Sequence, residues 1–165
     1  LLVNNAGVVR DNLLPMLEDD DIRTVLETNI TGTMNMSRSV IRYMMSRRSG
    51  KIINLSSVAG EKGGRGQSNY AASKGALNAM TFALAVEFAR HQITANAILP
   101  GWIETEMTGN LFSNEKFAQA AGKRIPMRRW GKPEDFGGIA VYLMSDASAY
   151  HTGQLLQIDG GYFRF

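Results

Sequence analysis

The feature that most constrains this chain is an alternation. Short apolar runs, many of them β-branched, stand at 1–3 (LLV), 51–55 (KIINL), 93–99 (ITANAIL) and 154–158 (QLLQI). Between them lie longer stretches whose apolar residues recur at helical spacing. Strands separated by helices cannot form tight hairpins, so they run parallel and need helices against both faces. The spacing predicts one long helix over 19–48, with Ile22, Val25, Leu26, Ile30, Met34, Met36, Val40, Ile41 and Met44 as its apolar positions. Asp19, Asp20 and Asp21 suit its N-terminal dipole, Arg47 and Arg48 its C-terminus, and Gly50 reads as the stop. A second long helix is expected over 69–91, a shorter one near 114–121, and another starting at Pro133, which suits a first helical turn. The fold class is α/β, a doubly wound parallel sheet, in one domain over 1–165.

Composition narrows the function. With 165 residues, 44% of them apolar, the chain can bury a real core. A formal charge of +3 without a basic run gives no reason to expect nucleic acid. No apolar stretch reaches the ~20 residues that span a bilayer, and no signal-peptide pattern opens the sequence, so no membrane partner is expected. There are no cysteines, which removes disulfide and thiolate chemistry and suits a reducing, cytoplasmic setting. The nine methionines read as core and interface filler, and neither His91 nor His151 has a ligand-spaced partner, so no metal site is expected.

Open sheets of this kind bind ligands beyond the carboxyl ends of their strands. The segments there are NNAG (4–7), SSVAGEKGGRGQ (56–67), PGWIETEMT (100–108) and DGGY (159–162). After the second comes SNYAASK, which puts Tyr70 and Lys74 one helical turn apart on one face. A phenol beside an ammonium can act as an acid catalyst. Each residue also has a plainer reading. Tyr70 can be a buried ring with a hydrogen-bonded tip, Lys74 a solvated charge, Ser57 a loop hydroxyl bonded to its own backbone, and Asn29 a local helix irregularity. Gly60, Gly64 and Gly66 imitate a dinucleotide fingerprint. The loop over 55–69 is too long for that tight turn, and no acidic residue ends the next strand. The loop is read instead as carrying Ser56 and Ser57 toward a substrate.

Taken together, NNAG, Asn29 in TNITG, Ser57 in LSSVAG, Tyr70-x-x-x-Lys74 and PG-x-I-x-T at 100–105 resemble the short-chain dehydrogenase/reductase family, in order and over nearly the whole chain. Within it, NNAGVVRDNLL, GQSNYAASKGAL, PGWIETEMT and the segment from RRWGKPED to QIDGGY are similar to the bacterial 3-oxoacyl-acyl-carrier-protein reductases. The resemblance implies the C-terminal portion of a Rossmann-like sheet and NADP as cofactor, with NAD the other option. It implies that Tyr70 donates a proton to the developing alkoxide, that Lys74 lowers the tyrosine pKa and holds the nicotinamide ribose, and that Ser57 orients the substrate carbonyl. Asn29 would hold a water linking Lys74 to solvent. Asn5, Ala6 and Gly7 would line the cofactor, Pro100 and Gly101 would turn beneath the nicotinamide, and Ile103 and Thr105 would contact its carboxamide end and the neighbouring phosphate. Asn4 is expected to tie adjacent strands.

Family members begin with a strand, a TGxxxGxG loop and further βα units ahead of NNAG, whereas this sequence opens inside a strand. It is read as a partial record of a longer enzyme, with a truncated product as the other explanation. The strand at 1–3 should then show an exposed apolar edge. The expected reaction is NADPH-dependent reduction of a 3-oxoacyl thioester to the 3-hydroxyacyl thioester, on a small-molecule or carrier-bound substrate. The alternatives are a dehydrogenase of a sugar, polyol or small hydroxy acid, and a non-catalytic remnant associating through its helices. Arg48 matches a position at which the family docks its acidic carrier beside the site. The second such position falls on His91, next to Arg90. Trp102 and Trp130 can shape an acyl pocket or simply pack. The resemblance also implies a homo-oligomer, a tetramer or dimer, with which the methionine-rich long helix and the apolar FRF at 163–165 are compatible.

Overall fold

The computed structural model describes residues 1–164, apart from the side chain of Asn110; the end of the FRF run, Phe165, lies outside the described residues. Four strands, β1 (Leu2–Asn4), β2 (Gly50–Leu55), β3 (Ile93–Pro100) and β4 (Leu155–Ile158), form one sheet in the order β1-β2-β3-β4. Every pairing is parallel, with Leu2 opposite Ile52, Ile52 opposite Ala95, and Ile98 opposite Leu156. The alternation therefore does what it must, and helices cover both faces.

Side chains alternate across the sheet. Ile52 and Ala95 point to one face, where they pack with Ile93, Met44 and Ala85. Ile53 and Ile98 point to the other, against Leu143. The first face is covered by α2 (Thr33–Arg47) and α4 (Ser68–Phe88), the second by α7 (Gly137–Met144). Ile52, Ile93 and Leu77 are each 1% exposed, and burial of such a side chain is worth roughly 2 kcal/mol. Beyond β1 no strand lies alongside among the described residues, and Leu1 and Val3 are 62% and 45% exposed, the apolar edge expected from the sequence.

The predicted helix over 19–48 is one helical run with a fault in its middle. α1 (Asp19–Leu26) passes into a π-helical turn, Glu27–Gly32, before α2. Gly50 does not stop it. Arg48 does, in the left-handed conformation at φ 48°, with Ser49 N–H donating to the Met44 carbonyl at 3.2 Å. Gly50 already belongs to β2, where a Cβ would meet Met44 Sδ at 2.6 Å. The loop over 56–68 contains a short helix, α3 (Ala59–Lys62). The irregular segment holds α5 (Gly109–Phe112) and α6 (Glu115–Arg124), the latter capped by Asn114 Oδ1, which accepts from Phe117 N–H at 3.2 Å. Pro133 opens a 3-10 turn, Pro133–Phe136, that leads into α7. Among the described residues no helix is long and apolar enough to cross a membrane.

Candidate active site

The carboxyl end of β2 and the start of α4 build the site. Ser56 turns inward and donates to the Lys74 carbonyl at 3.0 Å, which ties the strand end to α4. Ser57 Oγ accepts the Ala59 N–H at 3.1 Å, which starts α3, and its hydroxyl also hydrogen-bonds the Tyr70 phenol. Gly60 permits this crossing, since a Cβ there would lie 2.7 Å from the Lys74 backbone. That glycine serves helix packing, not a phosphate cradle. Lys74 Nζ sits 5.6 Å from the centre of the Tyr70 ring and donates to the Leu55 carbonyl at 2.7 Å. Lys74 is 4% exposed, so the solvated reading is excluded. An ammonium has three donors, and the Leu55 carbonyl takes one.

Burial sets the electrostatics. It pushes Lys74 down from 10.5 to about 8. It also pushes the Tyr70 phenol above its ordinary value; the Ser57 hydrogen bond opposes that rise and the Asp11 carboxylate adds to it. The sequence reading had Lys74 lowering the tyrosine. Burial of the phenol is the largest influence, so its net shift is upward. The phenol is thereby kept protonated at neutral pH, paired with a hydroxyl and backed by a cation. This is a donor set able to give a proton to an oxygen that gains negative charge.

Asn29 explains the π-turn. Its side chain is fully buried and reaches out of the helical run to clamp the loop after β1. Oδ1 accepts Val8 N–H at 2.8 Å, and Nδ2 donates to the Val8 carbonyl and to Ser73 Oγ, each at 3.0 Å. Both amide donors are committed, and the Asn29 carbonyl accepts from Thr33 Oγ1 at 2.9 Å. A widened turn is a recognised way to aim such a residue. Gly7 lies in the angle between the two halves, where a Cβ would stand 3.4 Å from both Asn29 Oδ1 and Lys74 Nζ. Asn29, Gly7, Ser57, Tyr70 and Lys74 are thus brought together.

The remaining expected residues line the same end of the sheet. Asn5 and Ala6 are exposed after β1. Pro100 ends β3, and Gly101 N–H donates to the Ile158 carbonyl at 3.0 Å. A Cβ on Gly101 would come within 2.8 Å of the Asp159 backbone, so the glycine answers to that close approach. Ile103 is buried and bridges Gly131, while Thr105 is exposed and caps the turn Glu106–Thr108. Trp130 is buried, donating to the Ala118 carbonyl at 3.1 Å, and Trp102 stacks between it, Phe117 and Tyr162. Asn4 ties β1 to β2 as expected, donating to Asn54 Oδ1 at 2.8 Å.

One expectation is displaced. Arg48 lies where α2 ends and β2 begins, reaching the Arg90 carbonyl at 3.0 Å. That is the amino end of the strands, whereas Tyr70 stands at the carboxyl end. Six residues of β2 separate them, about 17 Å at strand rise. Docking at Arg48 beside this chain's own Tyr70 is not what the structure provides. Chain order already implies this, since Arg48 precedes β2 and Tyr70 follows it.

Sequence reasoning missed several participants. Asn54 and Thr81 continue the buried polar column from Asn4, and Asn54 Nδ2 donates to Thr81 Oγ1 at 2.9 Å. Asn69 holds the Arg10 carbonyl and the Tyr70 N–H. Asn54, inside an otherwise apolar strand, was the available signal.

The chain matches, over residues 1–163, the family profile described as Enoyl-(Acyl carrier protein) reductase. It is 46% identical over 161 residues to the 3-oxoacyl-(acyl-carrier-protein) reductase of Thermotoga maritima, covering 98% of this chain and 65% of that protein. It is 41% identical to the Vibrio harveyi protein of the same name, covering 99% and 66%. Among solved structures, a gluconate 5-dehydrogenase from Burkholderia cenocepacia in complex with NADP and tartrate superposes with a TM-score of 0.97 at 38% identity, covering 99% of this chain and 64% of that one. The chain therefore spans just under two thirds of the length of these relatives.

Proposed function

Because the chain belongs to the short-chain dehydrogenase/reductase family, we propose that it carries the catalytic half of an NADPH-dependent reductase of 3-oxoacyl thioesters. The observation that carries this reading is the protonated Tyr70 phenol, bonded to Ser57 and backed by the buried Lys74 ammonium. The donor set also fits a nicotinamide nucleotide. Two N–H donors of Lys74 lack a protein acceptor among the described residues, which suits ribose hydroxyls, and Gly7 leaves open the space a side chain would fill. Asn5, Ala6, Gly7, Pro100, Gly101, Ile103 and Thr105 complete the proposed cofactor wall.

When bound, the reduced nicotinamide supplies the hydride. Ser57 holds the ketone oxygen, and Tyr70 delivers its proton to that oxygen as the carbonyl carbon is reduced. The resulting phenolate is stabilised by Lys74, which at neutral pH still carries its charge. Asn29 holds the loop that carries Gly7, and its place beside Lys74 suits a solvent relay that reloads the site. A cytoplasmic homo-oligomer is part of the same reading; the exposed Met36 and Tyr43 on α2 and Phe82 and Val86 on α4 support association through these helices. Carrier docking at Arg48 would then serve a site on another subunit.

The likeness to gluconate 5-dehydrogenase favours a second reading, oxidation or reduction of a sugar acid at the same residues. NADPH fluorescence titration and turnover of an acetoacetyl thioester by the full-length protein test the first. Binding weakened by Lys74→Ala and turnover lost in Tyr70→Phe are expected. Turnover of a keto-sugar acid without thioester reduction overturns it in favour of the second.

A further inference from the structure

The loop after β1 does more than pass the site. Beyond the Asn29 clamp on Val8, Asn69 Nδ2 donates to the Arg10 carbonyl at 2.9 Å, and Asn12 N–H donates to the Gly66 carbonyl at 2.9 Å. Gln67 Nε2 donates to Asp11 Oδ2 at 3.0 Å. Residues 8–12 are therefore stitched across the start of α4, the turn that carries Tyr70. Arg10, the neighbouring cation, is directed to Asp21, at 3.7 Å. Asp11 is left as the carboxylate held against Gln67, three residues before Tyr70. Lys74 Nζ lies 5.6 Å from the Tyr70 ring centre, and the phenol also feels the Ser57 hydroxyl and the Asp11 carboxylate. Asp11 is fixed near Tyr70 by that bond to Gln67, and its negative charge adds to the rise of the phenol pKa.

We propose that the Asp11 carboxylate is a specificity-determining group, one that disfavours ketones carrying an anionic group near the reacting carbon and so selects uncharged 3-oxoacyl thioesters over sugar acids. This rests on the reductase reading above and deepens it. A carboxylate brought near the reacting carbon would meet Asp11 in a partly desolvated mouth, where like charges repel, whereas a thioester ketone brings no charge there. A like-charge repulsion that changes relative turnover about fivefold corresponds to about 1 kcal/mol, and charge reversal doubles that energy, to about 30-fold.

The test uses the full-length protein with two ketones: acetoacetyl-N-acetylcysteamine, which is uncharged, and 5-ketogluconate, which is anionic. Asp11→Asn keeps the acceptor for Gln67 and removes the charge. It should raise the ratio of kcat/KM, keto acid over thioester, about fivefold, and Asp11→Arg about 30-fold. The phenolate absorbance of Tyr70, taken as the difference from Tyr70→Phe, should titrate at lower pH in Asp11→Asn. A loop anchor alone moves neither quantity, so a ratio within twofold of wild type in both variants overturns the proposal. Should the wild type reduce an uncharged keto-polyol but no thioester, the reductase reading fails, and the same ratio taken with the polyol still decides Asp11. Should it reduce no ketone, an unmoved Tyr70 titration overturns the proposal.

Discussion

Lys74→Met should make this protein more stable at neutral pH. Lys74 is 4% exposed, and burial takes its pKa from 10.5 to about 8. A folded-state value below the unfolded one means that the unfolded chain holds the proton more tightly. The charged lysine therefore destabilises the fold wherever it is protonated, and that cost fades as pH rises from about 8 toward 10.5. At about 1.4 kcal/mol per pH unit the penalty at pH 7 is about 3 kcal/mol. Methionine matches the length of the stem and removes the charge, but it strands the Leu55 carbonyl, which Lys74 now satisfies at 2.7 Å. Losing that bond costs about 1–2 kcal/mol. The net is a gain of about 1–2 kcal/mol at pH 7. By pH 9.5 about 2 kcal/mol of the wild-type penalty has gone, so the advantage should vanish or reverse. Urea unfolding of both proteins at pH 7 and pH 9.5 measures the difference directly. A difference that stays constant between the two pH values would refute the reasoning, because it would mean that the ammonium is not desolvated by folding.

Other outcomes follow from the same geometry. Asn29→Ala removes three hydrogen bonds that hold Val8 and Ser73, and should cost about 3 kcal/mol by chemical denaturation; hydrogen exchange at Val8 should rise with it. Gly101→Ala puts a Cβ within 2.8 Å of the Asp159 backbone, an overpacking expected to cost about 1–3 kcal/mol and to lower Tm. Gly7→Ala meets only ordinary contacts at 3.4 Å, so stability should stay within about 0.5 kcal/mol while NADPH binding, read by fluorescence, weakens. Tyr70→Phe should fold as the wild type and lose about 100-fold or more in turnover, the usual contribution of a positioned acid.

The alternation of strand and helix, fixed by hydrophobic period alone, decided the parallel sheet and hence the end at which Tyr70, Lys74 and Ser57 gather. It worked because side-chain period is a local property, and because parallel strands admit few connections. The tie from Asn4 to β2 was legible for the same reason: a polar residue at the end of a buried strand must find a partner nearby. The π-turn at Asn29 was legible only as a local helix irregularity; its reach to Val8 and Ser73, 21 and 44 residues away, was not. Gly60 and Gly50 looked like a loop residue and a helix stop, and proved to be spaces vacated for Lys74 and Met44. The direction of the Tyr70 shift likewise depends on burial, which no residue carries in its identity. Arg48 is a different case. It precedes β2 in the chain, so chain order already puts it at the amino end of the strand, away from the carboxyl end where the site gathers; the match to a docking position hid this. The sequence by itself settled which chemical groups the site contains. Only the tertiary structure decided their spacing, their desolvation and the charge at the mouth, because each of these depends on atoms far apart along the chain.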